Sequence, residues 1–222
     1  MARPARPGAH DAILEAAREE FARRGLENAR VEDVARRARV SKGAFYLHFR
    51  TKDDAFREIL QRFLGAMEEQ AARRHDAEER FLERSSAQAP GLAERLEFEC
   101  ACDTEMLELM WRNRRIIAVI DGAGGHRFAR MLRDFRDRMR GMVARNLADA
   151  RDCGHLRPDV DPAVTGDVIV GSYEAYVRRM SYMKEKPDLA AWSRAFLALL
   201  YGGISDRPEQ AAAPGRAGSA RR

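Results

Sequence analysis

The chain has 222 residues, of which 45% are hydrophobic, 34% charged and only 8% aromatic, and it carries a net charge of +5. That length suits one large domain or a small domain joined to a larger one, and the composition fits helices with charged outer faces better than a sandwich or a barrel. Three cysteines make no disulfide framework, no run approaches the ~18–20 apolar residues of a membrane span, and the basic stretch Met1 to Asp11 lacks the apolar segment of a secretory signal; a cytoplasmic protein that does not enter the membrane is expected.

The predicted elements are all helical. Residues 1–8 read as a flexible basic arm, with Arg3 and Arg6 able to follow a groove or stay free in solvent. A first helix is expected over 9–24, burying Leu14, Ala17 and Phe21 and stopping where Gly25 can take a left-handed conformation. A second over 31–38 buries Val31, Val34, Ala35 and Ala38. After a break at Arg39 and Val40, Ser41 is a good N-cap for a short third helix over 42–48. A fourth, over 52–74, turns Ala55, Ile59, Phe63 and Ala66 inward and joins two domains. Beyond a polar Ser/Ala/Pro stretch at 84–91, helices are expected over 92–112, 114–121, 126–152, 162–183 and 188–201, with Gly122 to Gly125 and Gly154 as breakers and Pro162 and Pro187 at first helical positions. The expectation is therefore an all-α protein of about nine helices, divided into an arm at 1–8, a helix-turn-helix domain at 9–54, a larger helical domain at 55–205 and a disordered tail at 206–222.

The sharpest signal lies between Arg30 and Lys52, where seven basic residues stand against Glu32 and Asp33; the overall pI near 9.4 adds weakly to it. Two short helices across a tight turn form a helix-turn-helix. Val40, Phe45 and Phe49 can enter a core shared with Leu14, Phe21 and Val34, which leaves Lys42, Ala44, Tyr46 and His48 outward. Tyr46 and His48 can donate hydrogen bonds to phosphates, and Lys42 and Lys52 supply charge. Lys52 also opens a helix whose free N–H groups favour an anion. Gly43 lets backbone approach a groove closely, and the Ala44 methyl can meet a thymine methyl.

On these residues, the segment from about Asp11 to Leu60 resembles the DNA-binding domain of the TetR/AcrR family of repressors. The agreement lies in Phe21 to Gly25, Val31-Glu-Asp-Val-Ala35 and Val40-Ser-Lys-Gly-Ala-Phe-Tyr-Leu-His-Phe49 with Lys52. The resemblance implies a transcriptional regulator in which Ser41, Lys42, Gly43, Ala44, Tyr46, His48 and Lys52 lie at or near a double-stranded DNA operator. Two positions depart from the family. Arg30 stands where Thr is usual, losing a capping hydroxyl but able to reach a phosphate, and Arg39 stands where Gly is usual and must make the turn without glycine's freedom.

The rest of the chain carries a weaker likeness at Gly154-His-Leu-Arg-Pro-Asp-Val-Asp-Pro162. The family implies that the last two helices pair with a second copy into a four-helix bundle. Gly166, Gly171, Ser172 and Ala175 would permit close approach, and Leu189, Trp192, Phe196, Leu199 and Leu200 give an apolar face, although the same stripe could serve burial within one subunit. It also implies a small-molecule effector pocket among the middle helices. Candidate lining residues are Phe98, Met106, Met110, Trp111, Phe128, Met131, Phe135 and Tyr173, which ordinary core packing would equally explain.

Cys100 and Cys102 point about 200° apart on a helix and cannot readily share a ligand. With Cys153, His126 and His155 they are read as inert, and no metal or cofactor is expected. No phosphate loop, metal-ligand spacing or nucleophile motif points to an enzyme. The expected function is a repressor, dimeric on a palindromic operator and released by an effector; the alternative is a DNA-binding dimer whose C-terminal domain binds a protein.

Overall fold

The computed structural model describes residues 8–84, 91–121, 125–152 and 156–204. Among these the secondary structure is helical throughout: α1 (Ala9–Asn28), α2 (Val31–Arg37), α3 (Lys42–His48), α4 (Lys52–Arg84), α5 (Leu92–Asp121), a 3₁₀ turn (Gly125–Phe128), α6 (Ala129–Asp152), α7 (Pro162–Ser181) and α8 (Leu189–Ile204). No helix among the described residues is long and apolar enough to cross a membrane. The expected arm and tail, Cys153, Gly154, His155 and most of the breaker cluster and of the 84–91 stretch lie outside the described residues.

The head is a three-helix unit. Ile13, Leu14, Ala17 and Phe21 of α1 meet Val34 of α2 and Phe45 and Phe49 beside α3, all buried, and burying side chains of this size contributes about 1.5–3 kcal/mol each. Glu20, fully buried on α1, is held by Arg23 at 2.8 Å and Arg24 at 2.8 Å, with Arg37 of α2 at 3.7 Å. The first turns of α4 complete this core: Ala55 and Phe56 are fully buried, and Phe56 stands edge-on to Phe21 at 5.6 Å. The core then runs without a break into the body, through Phe63, Met67, Leu107, Met110 and Ile116.

Five boundaries differ from the sequence expectation. Gly25 does break α1, with φ 75°, but its ψ of 163° is extended rather than left-handed helical, and the chain makes one more turn to Asn28. α4 continues ten residues past Arg74, because its last turns are tied to α5 by Arg95–Glu78 at 3.0 Å and by a Phe81–Phe98 stack at 4.5 Å. The helices expected over 92–112 and 114–121 are one helix, which makes eight where nine were expected. Asn113, between them, donates to the Leu109 carbonyl at 2.7 Å and accepts from Arg18 of α1 at 2.6 Å, so its polar groups are satisfied inside the helix. The segment from 126 opens as a 3₁₀ turn before α6. Pro162 does sit at the start of α7 behind Asp161, whose carboxylate accepts from Ala163 and Val164; Pro187 instead precedes Asp188, which accepts from the Ala191 N–H at 2.8 Å and caps α8.

Candidate nucleic-acid interface and effector cavity

The turn between α2 and α3 runs through Arg39, whose φ of 57° is the one positive value at a non-glycine among the described residues. The left-handed region costs an L-residue roughly 1–2 kcal/mol, and the turn is held closed by Val40 N–H donating to the Ala35 carbonyl at 3.0 Å. Ser41 then caps α3, its hydroxyl accepting from Ala44 N–H at 3.0 Å. With Phe45 and Phe49 buried, α3 presents Lys42, Gly43, Tyr46 and Leu47 to solvent and Ala44 at its margin. Space beside Gly43 is open apart from the Ser41 hydroxyl. Tyr46 is 47% and Leu47 62% exposed. Sequence patterning left Leu47 unassigned, although its place three residues after Ala44 puts it on the same face.

Charge on this face is only partly compensated. Lys42 pairs with Glu32 at 2.5 Å, Arg36 with Asp33, and Arg37 with Glu19 at 2.6 Å. Lys42 holds the Glu32 carboxyl below the usual carboxylate range through its hydrogen bond, and Glu32 raises Lys42 in return. Arg30, Arg39 and Arg50 are exposed; Glu32 lies near enough to Arg30 to be stabilised by its charge, and Arg39 and Arg50 make no ion pair among the described residues.

Two expected phosphate ligands are placed differently. Lys52 is turned back against the head, its ammonium donating to the Glu27 carbonyl at 2.7 Å and the Ala29 carbonyl at 3.2 Å, so it closes the end of α1. The N-terminus of α4 is already capped reciprocally by Thr51 and Asp54, at 3.1 Å in each direction, which consumes donors the sequence left free for an anion. His48 is half-buried, edge-on to His10 at 5.5 Å, and its Nε2 has no hydrogen-bond partner among the described residues. Arg30 occupies the N-cap of α2 without a side-chain cap bond.

The body holds a partly open cavity of about 200 Å³. Each surrounding helix contributes one stripe at helical spacing: Met67, Gln70, Ala71, Arg74, His75 and Glu78 from α4; Arg95, Glu99, Cys102, Met106 and Met110 from α5; Phe135, Met139, Met142, Val143, Asn146, Leu147 and Ala150 from α6; Ile169, Val170 and Tyr173 from α7; Phe196, Leu197, Leu200 and Tyr201 from α8, with Leu156 between α6 and α7. Most of this wall is apolar and methionine-rich. The charged residues belong to α4 and α5.

Of the residues expected to line a pocket, Met106, Met110, Phe135 and Tyr173 do so. Phe98 stacks on Phe81 instead, Trp111 lies under the guanidinium of Arg114 at 3.8 Å, Phe128 packs on Phe56 at 5.0 Å, and Met131 lies against the core. Cys102 is on the cavity wall with its thiol pushed up by burial, whereas Cys100 faces the Ala190 carbonyl at 3.8 Å on α8.

The residues expected at a dimer face also divide. Gly166 is buried against α6, where an added Cβ would meet the Ala144 backbone nitrogen at 3.4 Å. Trp192 packs on Tyr176 at 5.3 Å, while Phe196 and Leu200 belong to the cavity. Ala175 and Leu199 are exposed, Leu199 at 78%, and space beside Gly171 is open. Val164 and Val168 extend the same exposed face of α7.

Residues 13–59 match the family described as bacterial regulatory proteins, tetR family. The chain is 26% identical over 199 residues to the fatty acid metabolism regulator protein of Bacillus subtilis (strain 168), a likeness covering 88% of this chain and 95% of that protein. It is 25% identical over 198 residues to the transcriptional regulator AcuR of Cereibacter sphaeroides, covering 85% and 83%. The solved structure of SmeT, the repressor of the Stenotrophomonas maltophilia multidrug efflux pump SmeDEF, superposes with a TM-score of 0.64 at 18% identity over 96% of this chain and 97% of that one.

Proposed function

We propose that this chain, whose residues 13–59 match the tetR family of bacterial regulatory proteins, is a homodimeric repressor that leaves its operator when a small molecule fills the cavity of the body. The observation that carries the reading is the solvent-facing surface of α3, where Ser41, Lys42, Gly43, Tyr46 and Leu47 stand clear of a core built by Phe45 and Phe49. A short helix with that division enters the major groove with its N-terminal residues at base edges. Arg30, Arg39 and Arg50 flank it as phosphate contacts. Lys52 supports the interface by fixing the end of α1.

Two copies joined through Val164, Val168, Gly171 and Ala175 of α7 and Leu199 of α8 present two such helices to two half-sites, which multiplies a modest half-site affinity. A cavity within the bundle and lined by methionines supports a small ligand over a protein partner. Ligand-induced release requires that the ligand bind one head spacing better than the other.

The test is selection of bound sequences from a random DNA pool at near-physiological salt, with a Lys42→Ala, Tyr46→Phe variant as control. A palindromic motif, lost in the variant, supports the reading. Well-folded protein that enriches no motif overturns it. Lys52 is unsuitable as a control position, because removing its ammonium uncaps α1 and confounds binding with stability.

A further inference from the structure

The cavity has a polar end whose charges do not balance. Arg74 is ion-paired with Glu99; Arg95 pairs with Glu78 at 3.0 Å and donates to the Tyr201 hydroxyl at 3.3 Å, and that hydroxyl donates to the other oxygen of Glu99 at 3.1 Å. Both guanidiniums on the wall are therefore engaged by carboxylates. Behind Tyr173, whose hydroxyl donates to it, lies Asp103, 0% exposed. Its second oxygen is buried and has no hydrogen-bond partner among the described residues. Three carboxylates thus share two guanidiniums, with the imidazole of His75 the further wall group near Glu78; Glu99 and Asp103 are buried, where an uncompensated charge is costly. Burial and the neighbouring Glu99 push the Glu78 carboxyl above its usual range, as expected where positive charge is short.

Resting on the reading of the cavity as an effector site, we propose that it selects amphiphiles whose polar group is a cation, an amine on an apolar body, and discriminates against carboxylates. An ammonium placed beside Glu78 adds the missing positive charge and keeps its donors bonded, while the methionine and aromatic wall takes the hydrocarbon. A carboxylate of the same length finds both guanidiniums engaged, leaving only the His75 imidazole, which faces Glu79 at 3.6 Å, and meets Glu78 and Glu99 at close range.

A matched set of non-detergent probes tests this: 4-phenylbutylamine, 4-phenylbutanol and 4-phenylbutyrate, titrated by calorimetry into the full chain at pH 7. The amine is expected to bind at least tenfold tighter than the acid, with the alcohol between them. Glu78→Gln and, as a second variant behind Tyr173 on α5, Asp103→Asn are each expected to narrow that ratio at least threefold, with melting curves confirming the fold. Leu147→Trp, which fills the cavity, is expected to abolish binding of all three. Acid binding as tightly as amine, or a ratio unchanged in both carboxylate variants, overturns the charge inference and leaves the effector site standing. Failure of all three probes to bind at millimolar concentration overturns both.

Discussion

At the level of single residues, the head separates charges left at the surface of the proposed DNA face from charges that serve the fold. Glu32 is exposed beside Lys42, and an exposed pair of this kind adds little to stability. Its carboxylate nonetheless lies where phosphates would approach. Glu32→Gln is expected to raise operator affinity several-fold with no change in melting temperature, measured by fluorescence anisotropy; unchanged or weaker binding would remove Lys42 from the interface. Glu20 is the opposite case, fully buried among three arginines. Glu20→Ala leaves an acid-shaped gap between α1 and α2 and is expected to cost about 3 kcal/mol in urea unfolding. The sequence distinguishes these two glutamates poorly. Glu20 precedes Phe21 in a run that reads as the polar flank of an amphipathic helix, and only α2, folded back from residue 31, encloses it.

Among the elements, the short helices were the most legible and the long ones the least. α2 and α3 match their expected bounds to within a residue, because Ser41, the Val34/Ala35 pair and the Phe45/Phe49 pair are local signals. Arg39 shows that a departure from the family pattern can leave the geometry intact: the turn keeps a left-handed residue although no glycine is there. Arg39→Gly is expected to stabilise the protein by about 0.5–1 kcal/mol, since glycine adopts that conformation without strain, while weakening DNA binding through loss of a cation. Thermal melts and anisotropy on the same preparation separate the two effects. The cavity stripes were harder to read. Arg74 and Glu78 on α4 look like a solvated face until α5 brings Glu99 and Arg95 against them. On α5 the aromatics misled: Phe98 and Trp111 each sit one residue, about 100°, from the stripe carried by Glu99 and Met110.

In the whole molecule, the head joins the body through the apolar core that α1 and α4 share with α5, and two polar ties reinforce it: Arg18 reaching Asn113, and Arg127 of the 3₁₀ turn pairing with Glu27 at 2.9 Å and Asp53 at 3.1 Å. The last two are polar and partly exposed, as befits contacts that must give way. An Arg18→Ala, Arg127→Ala variant is expected to raise amide exchange across α1 to α3 about tenfold and leave α5 to α7 unchanged. Uniform acceleration would show that the head does not open on its own. α4 is then the rigid member, since it both completes the head's core and lines the cavity. From Lys52 to Gln70 it spans about 27 Å at helical rise, so on the proposed effector reading it would act as a lever arm with its fulcrum at the cavity. A tilt of about 5° at the cavity end swings the DNA end by roughly 2 Å, and in a two-fold pair the displacements add to nearly 5 Å against a half-site separation of about 34 Å. In the proposed two-fold repressor the cavity would therefore have no need to reshape α3: a small tilt, amplified by the length of a single helix into a misfit smaller than one base-pair step per subunit, would put the two heads out of phase with the groove.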